Sequence, residues 1–279
     1  MTRMVGWCAG MPEQKTILVT GTSTGIGHAA AIHFAERGWN VLAGSRHPEK
    51  LHFIQERITP IGIDVNSIES VDRCFADERV KKIDCLVNNA GYGLLLPFED
   101  TPPEEIERMF RTNVFGLMEV SRRAAKLFRE KRAGTIINIS SVLGRIGAPW
   151  YSVYCASKFA VEGFSESLSH ELRPFGVHVK IVEPSGTQTG FHHIAYDTEK
   201  FPITQDYRAR YETKRNDHDR GVNRYDTPES VAAVIWQAAT DGAWKLRYPL
   251  RQAKQAALAR RLLGEEGLWR KLLKKFGSL

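Results

Sequence analysis

The feature that most constrains the fold is an alternation of short apolar runs with segments of helical periodicity. The runs begin with "TILVT" at 16–20 and continue to "VHVKIVEPS" at 177–185, with "WKLRYP" at 244–249 as a candidate seventh strand. Most are apolar throughout, as in strands buried on both faces of a parallel sheet. Because β–α–β crossovers are right-handed, this order predicts a single-domain α/β fold of the Rossmann type: a doubly wound parallel sheet of about seven strands with helices on both faces.

Helices are predicted at 25–38, 48–55, after 66, at 103–131 and at 156–172. In a doubly wound sheet the ligand binds at the carboxyl ends of the strands, so functional motifs should directly follow strands.

The chain is expected to have three parts. Residues 1–14 lack a periodic pattern and are predicted to be a tail. The catalytic domain is predicted at 15–249 and includes a long polar insertion near 187–223, of the kind that often forms a lid. Residues 250–279 are predicted to form a basic helical extension.

Composition narrows the class of protein. The chain has 279 residues, of which 42% are hydrophobic, and a formal net charge of +7. This hydrophobic content suffices for one large core. So modest a net charge is typical of a solvated surface rather than of a nucleic-acid-binding face.

The four cysteines lack metal-ligand spacing, so no metal site is expected. Without a signal peptide or an apolar run of about 18 residues, we expect a cytoplasmic protein.

The motif "TGTSTGIG" at 20–27 follows the first strand and opens the first helix. Glycines in this context permit a tight turn and the close approach of a pyrophosphate to the N–H groups at the helix start. The spacing is GxxxGxG rather than the commoner GxGxxG. The motif predicts that a dinucleotide is bound by Gly21, Thr22, Ser23, Thr24, Gly25, Ile26 and Gly27.

The segment after the second strand, "GSRHP" at 44–48, indicates which dinucleotide is bound. A cofactor with a free ribose 2′-hydroxyl requires an acidic side chain here, and there is none. Arg46 can instead pair with a 2′-phosphate, with Ser45 or Thr22 donating hydrogen bonds. We therefore expect NADP(H) in preference to NAD(H).

Two further strand ends are expected to border the cofactor. Asp64 ends the third strand, where its carboxylate could accept a hydrogen bond from the adenine amino group, with Val65 against the ring. The motif "NNAG" at 88–91 ends the fourth strand, and its asparagines can bind backbone groups of the sheet. The loop borders the cofactor site, so contacts are expected from Asn89, Ala90 and Gly91.

The stretch "YSVYCASK" at 151–158 contains two tyrosines, either of which could act together with its single lysine. Lys158 follows Tyr154 by one helical turn, which puts both side chains on the same face of a helix. A phenol with a pKa of about 10 is a poor base at neutral pH. The Lys158 ammonium, together with the positive nicotinamide of an oxidised cofactor, is expected to favour the phenolate. Tyr151 precedes Lys158 by about two turns and can project to the same face, so helical geometry alone leaves both tyrosines open.

Five motifs in this order resemble the short-chain dehydrogenase/reductase family: "TGTSTGIG", "NNAG", the asparagine of "TNVFG", the last serine of "NISS", and "YCASK". The resemblance covers roughly residues 15–244, and within the family the chain also resembles the hydroxysteroid and retinol dehydrogenase-like members. It implies that Tyr154 is the general acid or base and that Ser141 binds the substrate oxygen. It also implies that Lys158 binds the cofactor ribose beside Tyr154, and that Asn113 supports a proton relay through water.

The resemblance extends to the segment after the sixth strand. It implies that Pro184, Ser185, Gly186 and Thr187 lie at the nicotinamide carboxamide, and that Thr189 contacts the carboxamide and the cofactor phosphate. The family usually has glycine where this chain has Ser185, and serine does not readily adopt a positive φ.

A mostly apolar pocket is expected for the substrate. Tyr151 is interpreted as a wall of this pocket, since its spacing to Lys158 differs from that of the family. The substrate is predicted to be a hydrophobic carbonyl compound or alcohol, such as a steroid, retinoid or similar ketone. The expected substrate contacts are Ser141, Leu143, Tyr151, Tyr154 and Phe191.

The basic tail at 250–279 has two interpretations. It can form two short helices that pack on the body or across a dimer, or an amphipathic segment that binds a membrane surface. We expect packing, through Leu262, Leu263, Leu268, Trp269 and Leu272. The resemblance implies a homodimer or homotetramer, formed through the helices predicted at 103–131 and 156–172.

These features predict an NADP(H)-dependent oxidoreductase that interconverts a carbonyl and an alcohol by hydride transfer. One alternative is a non-catalytic NADP-binding regulator on the same fold, which the presence of all four catalytic residues disfavours. A second is an epimerase or dehydratase, since these also use Y-x-x-x-K. Those relatives usually have a different glycine spacing and a larger C-terminal substrate region.

Overall fold

A seven-stranded parallel sheet organises the fold. The computed structural model describes residues 14–187, 201–221 and 225–276, and it places the strands in the order β3-β2-β1-β4-β5-β6-β7. The sheet confirms the predicted doubly wound Rossmann-type architecture. The strands are β1 Thr16–Thr20, β2 Asn40–Ser45, β3 Ile58–Gly62, β4 Cys85–Asn88, β5 Gly134–Ile139, β6 Val177–Glu183 and β7 Arg247–Pro249.

The register aligns the carboxyl ends of neighbouring strands. Thr20 of β1 pairs with Gly44 of β2, and Asn88 of β4 pairs with Asn138 of β5. The strand order reverses direction between β1 and β4, so their carboxyl ends flank the switch point at which such sheets bind ligands. The loops that follow these strands therefore form one edge, where the sequence motifs meet.

Helices cover both faces of the sheet. One core cluster joins it to the first and seventh helices, and a second joins it to helices two, four and five. The helices are α1 Gly25–Ala35, α2 Ile68–Ala76, α3 Pro103–Phe110, α4 Leu117–Lys131, α5 Ser152–Leu172, α6 Gln205–Gly221, α7 Pro228–Thr240 and α8 Arg251–Phe276.

Several predicted element boundaries are wrong. The helix predicted at 48–55 is a single 3-10 turn at Pro48–Lys50. Helix α5 begins at Ser152 rather than at 156, and a π-helical segment at Arg111–Gly116 joins α3 to α4. Within the predicted lid, α6 is a long helix with a very polar sequence, and it lacks the apolar stripe that marks a surface helix in a sequence.

The C-terminal extension is bent at Gly264, whose φ of 69° and ψ of −179° interrupt helix α8. This agrees with the two short helices expected. The expected packing on the body holds for Leu268, which is buried, and for half-buried Leu272. Leu262, Leu263 and Trp269 are exposed in the single chain and so do not pack on the body, and the alternative of packing across a dimer stays a prediction for them. Among the helices that the structure describes, none is long and apolar enough to span a membrane.

Candidate active site

The glycine loop between β1 and α1 has the geometry of a phosphate cradle. Gly21 and Gly25 have φ values of 71° and 62°, a region that favours glycine. The backbone N–H groups of Gly21 and Thr22 donate to the Gly44 carbonyl at 2.9 and 3.1 Å, which fixes the loop to β2. Within the described part of the chain, Thr24 at the N-cap makes no side-chain capping bond. The Thr24 side chain therefore does not occupy the first N–H groups of α1, which an anion could bind.

Gly27 is required by the close approach of α1 to the loop. A Cβ atom there would lie 2.3 Å from the Gly21 carbonyl oxygen and 2.4 Å from Asn89 Nδ2. Asn89 Nδ2 itself donates to the carbonyls of Thr20 and Gly21, at 2.9 and 3.0 Å. Asn89 thus holds the glycine loop in place, a structural role beside the cofactor contact that the sequence predicts for it.

Replacing Gly27 with alanine is expected to destabilise the fold by about 2–4 kcal/mol and to weaken dinucleotide binding, because a backbone oxygen must move to admit the methyl group. Gly163→Ala is the matched control. It lies inside α5, and an added Cβ would have no neighbour within 4 Å. Thermal denaturation and cofactor titration of both variants check this, and equal behaviour of the two would contradict it.

The end of β2 presents Arg46 to solvent, directly after buried Ser45. The Ser45 hydroxyl oxygen accepts from the His47 N–H at 3.1 Å, which leaves its own hydrogen available to a phosphate. The Thr22 hydroxyl instead donates to the Gly44 carbonyl at 3.2 Å. Of the two predicted hydroxyl donors, the geometry therefore favours Ser45.

The loop after β3 is held by local hydrogen bonds. The Asp64 carboxylate accepts from the Asn66 N–H at 3.0 Å, and the Asp64 N–H donates to Ser70 Oγ at 2.9 Å. Val65 packs against Gly116, where a Cβ would lie 2.7 Å from the Val65 carbonyl oxygen. The π-helical segment that carries Gly116 is thus in direct contact with the predicted adenine site.

Asn113 lies on that π-helical segment and is buried. Its Oδ1 accepts from the Tyr92 N–H at 3.0 Å, and its Nδ2 donates to the Tyr92 carbonyl at 2.9 Å. Nδ2 also lies 3.2 Å from the hydroxyl of Ser157, which donates to the Tyr154 carbonyl at 2.8 Å. π-Helical turns are frequent at functional sites. Asn113 connects the loop after β4 to the helix that carries Tyr154.

Tyr154, Ser141 and Lys158 meet at the start of α5. Tyr154 is buried, and its side chain is hydrogen-bonded to that of Ser141. Lys158 Nζ donates to the Ile139 carbonyl at 2.8 Å and lies 5.8 Å from the Tyr154 ring centroid. The Ser140 hydroxyl lies next to Gly144: a Cβ atom added to that glycine would be 2.6 Å from Ser140 Oγ. Of the two adjacent serines, only Ser141 is shown bonded to Tyr154.

Burial is the main influence on the ionisation of Tyr154 and Lys158. Burial raises the pKa of Tyr154 above its usual value, and the hydrogen bond with Ser141 only partly offsets this. Burial also lowers the pKa of Lys158 to about 8, although Glu162 raises it. In the chain alone the Lys158 ammonium donates to the Ile139 carbonyl, and burial outweighs the influences that lower the pKa of Tyr154. Tyr154 is therefore protonated at neutral pH. That Lys158 and an oxidised nicotinamide together favour the phenolate stays a prediction.

Tyr151 lies just outside α5, at its N-cap position, so the helical argument for it does not apply. Its ring centroid is 6.2 Å from that of Tyr154. The preceding residue, Trp150, has a φ of 70°, a strained value for a residue with a side chain. Tyr151 and Leu143 pack on a buried cluster that includes Leu95 and Tyr154. This places both predicted wall residues beside Tyr154.

The segment after β6 is held by a residue that the sequence reasoning missed. Asp226 Oδ2 accepts from the Ser185 N–H at 3.2 Å and from the Ser185 hydroxyl at 2.5 Å. Thr187 Oγ1 donates to the Ser185 carbonyl at 3.1 Å. Among the described residues, Arg132 and Trp150 alone have positive φ without being glycine, so serine is unstrained at 185. Asp226 lies 41 residues after Ser185, and no local sequence pattern predicts that the two residues pair.

Two predicted contacts, Thr189 and Phe191, lie outside the described residues, as does much of the predicted lid. Within the described ranges there is no group of three or more His, Cys, Asp or Glu side chains that could hold a metal ion. Of the remaining predicted site residues, Ile26 packs on the core, and the Ala90 N–H donates to Thr20 Oγ1 at 3.1 Å.

Comparison with known proteins identifies the family. The model of the short chain dehydrogenase family matches residues 15–200. The oxidoreductase YusZ of Bacillus subtilis is 35% identical over 278 residues, which cover 94% of this chain and 98% of that protein. The fold and the comparisons together define an oxidoreductase with a Rossmann-type sheet. The chain belongs to the short-chain dehydrogenase family, as its motifs implied.

Two further similar proteins are described by a cofactor or a substrate: one was solved with NADP, and the other is named for the ketone that it reduces. A short chain dehydrogenase from Burkholderia cenocepacia, solved in complex with NADP, superposes with a TM-score of 0.75 and 26% identity, covering 94% of this chain and 98% of that one. The 3-ketodihydrosphingosine reductase of Bacteroides thetaiotaomicron is 35% identical over 180 residues, which cover 64% of this chain and 66% of that protein.

Proposed function

We propose that this protein is an NADP(H)-dependent carbonyl reductase or alcohol dehydrogenase with Tyr154 as the general acid or base. The observation that carries the proposal is the buried Tyr154 hydroxyl bonded to Ser141, with Lys158 one turn along the same helix. A protonated phenol beside a hydroxyl donor suits the reduction of a carbonyl, in which an oxygen gains a proton.

The residues present fit a nicotinamide dinucleotide. At Gly21 and Gly27 an added Cβ would meet backbone atoms or Asn89, so the loop lies close against the start of α1, where a pyrophosphate can bind. Arg46 with Ser45 suits a 2′-phosphate. The loop from Pro184 to Thr187, fixed by Asp226, suits the carboxamide end. When bound, the nicotinamide supplies the hydride.

The side chains of the site have the following roles in the proposed reaction. Ser141 and Tyr154 both donate to the substrate oxygen, which orients the carbonyl and stabilises the developing alkoxide. Tyr154 then transfers its proton to that oxygen. The Lys158 ammonium, held by the Ile139 carbonyl, binds ribose hydroxyls and stabilises the phenolate left behind. Asn113 positions α5 through Ser157 and supports the return of a proton from solvent.

A hydrophobic substrate fits the surroundings of Tyr154. The neighbouring cluster is built from leucines and aromatic rings, and Phe201, Ile203 and Tyr211 close it from the segment that ends in α6. The Tyr211 hydroxyl donates to the Leu95 carbonyl at 3.0 Å, which anchors α6 on this cluster. The sphingoid ketone in the name of the Bacteroides relative supports a long apolar ketone beside the steroid and retinoid classes.

The test is a spectrophotometric screen of ketones, aldehydes, steroids and alcohols with both nicotinamide cofactors. Cofactor oxidation with at least one apolar ketone or aldehyde, faster with NADPH than with NADH, is the expected result. Tight NADPH binding without turnover on any carbonyl would favour the regulator. Substrate conversion without net cofactor oxidation would favour the epimerase or dehydratase.

Arg46→Asp is expected to raise the KM for NADPH by about thirtyfold or more and to leave that for NADH little changed, because a charged hydrogen bond to the 2′-phosphate contributes about 2 kcal/mol. Steady-state kinetics with both cofactors measure this. The matched control is Arg57→Asp, an exposed arginine just before β3. Equal changes for NADPH and NADH in Arg46→Asp would refute the assignment.

We also propose a homodimer or homotetramer through the helical stretch 103–131 and α5, since Phe115 and Phe159 on these two segments are exposed. A cytoplasmic location and the boundaries of the lid stay predictions of the sequence.

A further inference from the structure

The C-terminal helix α8 carries most of the net charge of the protein. It contains eight Lys and Arg residues and two Glu, a net charge of +6 within a chain whose total is +7. The rest of the chain is thus close to neutral. A concentration of positive charge on one terminal element attracts an anionic partner.

The same helix exposes large apolar side chains. Leu262 is 72% exposed and Trp269 is 56% exposed, and Leu258, Leu263 and Leu273 are exposed as well. We call these five residues the apolar face of α8. Docking of the helix uses other positions, including Ala253 and Leu268, both buried. The apolar face is therefore not required to hold α8 on the body.

Basic and apolar residues alternate along one side of the first half of α8. Lys254, Leu258 and Leu262 follow at intervals of four residues, and Arg261 is three residues after Leu258, so the four share one side of the helix. All four are exposed. Leucines flanked by basic side chains are typical of helices that lie in a membrane interface.

The second half of α8, after the bend at Gly264, repeats this arrangement. Trp269 and Leu273 are four residues apart and share one side, and exposed Arg270, Lys271 and Lys274 are next to them. Tryptophan is enriched at the level of lipid headgroups, where its ring contacts both apolar and polar groups.

We propose that α8 binds a membrane surface that contains anionic lipid, with its apolar face inserted among the acyl chains and its basic residues at the headgroups. A two-fold dimer through this face would place two helices of net charge +6 against each other, which charge repulsion disfavours. A nucleic acid would satisfy the charge but not the exposed leucines and tryptophan, whereas an anionic bilayer satisfies both.

Co-sedimentation of the full chain with lipid vesicles tests the proposal. Binding to vesicles of phosphatidylcholine with phosphatidylserine is expected, together with much weaker binding to phosphatidylcholine alone and release by high salt, which screens the charges. The double variant Leu262→Ser with Trp269→Ser should weaken binding by about tenfold or more. Arg261→Gln with Lys271→Gln should weaken it by about thirtyfold, since each basic residue contributes about fivefold.

Matched controls separate α8 from the rest of the surface. Ile54→Ser with Phe98→Ser removes two exposed apolar side chains elsewhere, and Lys81→Gln with Lys82→Gln removes two exposed charges. Both controls should bind like the unmodified chain, and circular dichroism should show all variants folded. Absence of binding, equal binding to both lipid compositions, or unchanged binding by the α8 variants would overturn the proposal. So would a sedimentation result in which Leu262→Ser with Trp269→Ser dissociates a dimer while vesicle binding stays absent.

Discussion

Tyr154→Phe is expected to lower kcat for carbonyl reduction by about a hundredfold to ten-thousandfold, the usual contribution of a general acid. The phenyl ring keeps the packing of Tyr154 in its buried cluster, so the fold should persist. What disappears is the hydroxyl that is bonded to Ser141 and that donates the proton. Steady-state kinetics with the best substrate of the screen measure kcat, and a fluorescence titration should show unchanged affinity for NADPH.

Tyr151→Phe is the matched control, since it removes the same atom three residues away. Its ring lies 6.2 Å from that of Tyr154, on the same apolar cluster, and it precedes α5. We expect it to retain most of its turnover and to change the KM for substrate at most. If the control lost turnover while Tyr154→Phe kept it, the assignment of the acid–base group would be wrong.

Lys158→Met is expected to reduce kcat/KM by about a hundredfold or more. The ammonium is buried, and its loss removes a positive charge near the phenol and leaves the Ile139 carbonyl without its donor. Lys158→Arg keeps a charge and serves as the conservative variant. It should recover part of the activity, whereas a purely structural role for Lys158 would make both variants lose stability and activity together.

The pH profile tests the same lysine. Because burial lowers the pKa of Lys158 to about 8, its charge is present below that pH and is lost as the pH rises through it. We therefore expect kcat/KM for the free enzyme to fall above about pH 8. Lys158→Arg should lack this decline, since a guanidinium stays protonated. A flat profile of the unmodified enzyme up to about pH 10 would contradict the prediction.

Much of the fold follows from local patterns in the sequence. The strands were predictable because continuous apolar runs mark a sheet covered on both faces, and the glycine loop because its conformation is local. Helix α6 was not predictable, because its residues lack an apolar stripe and it is anchored through tertiary contacts such as that of Tyr211 with Leu95.

For the site, the sequence by itself determined the spacing of Tyr154 and Lys158, since one helical turn relates residues four apart wherever the helix lies. Only the tertiary structure decided their ionisation, because burial, not spacing, sets the pKa of both groups. It also decided that Asp226 holds Ser185, and that part of α8 packs on the body while its apolar face does not. Such contacts join segments far apart in the chain, and no periodic pattern within one segment specifies its partner.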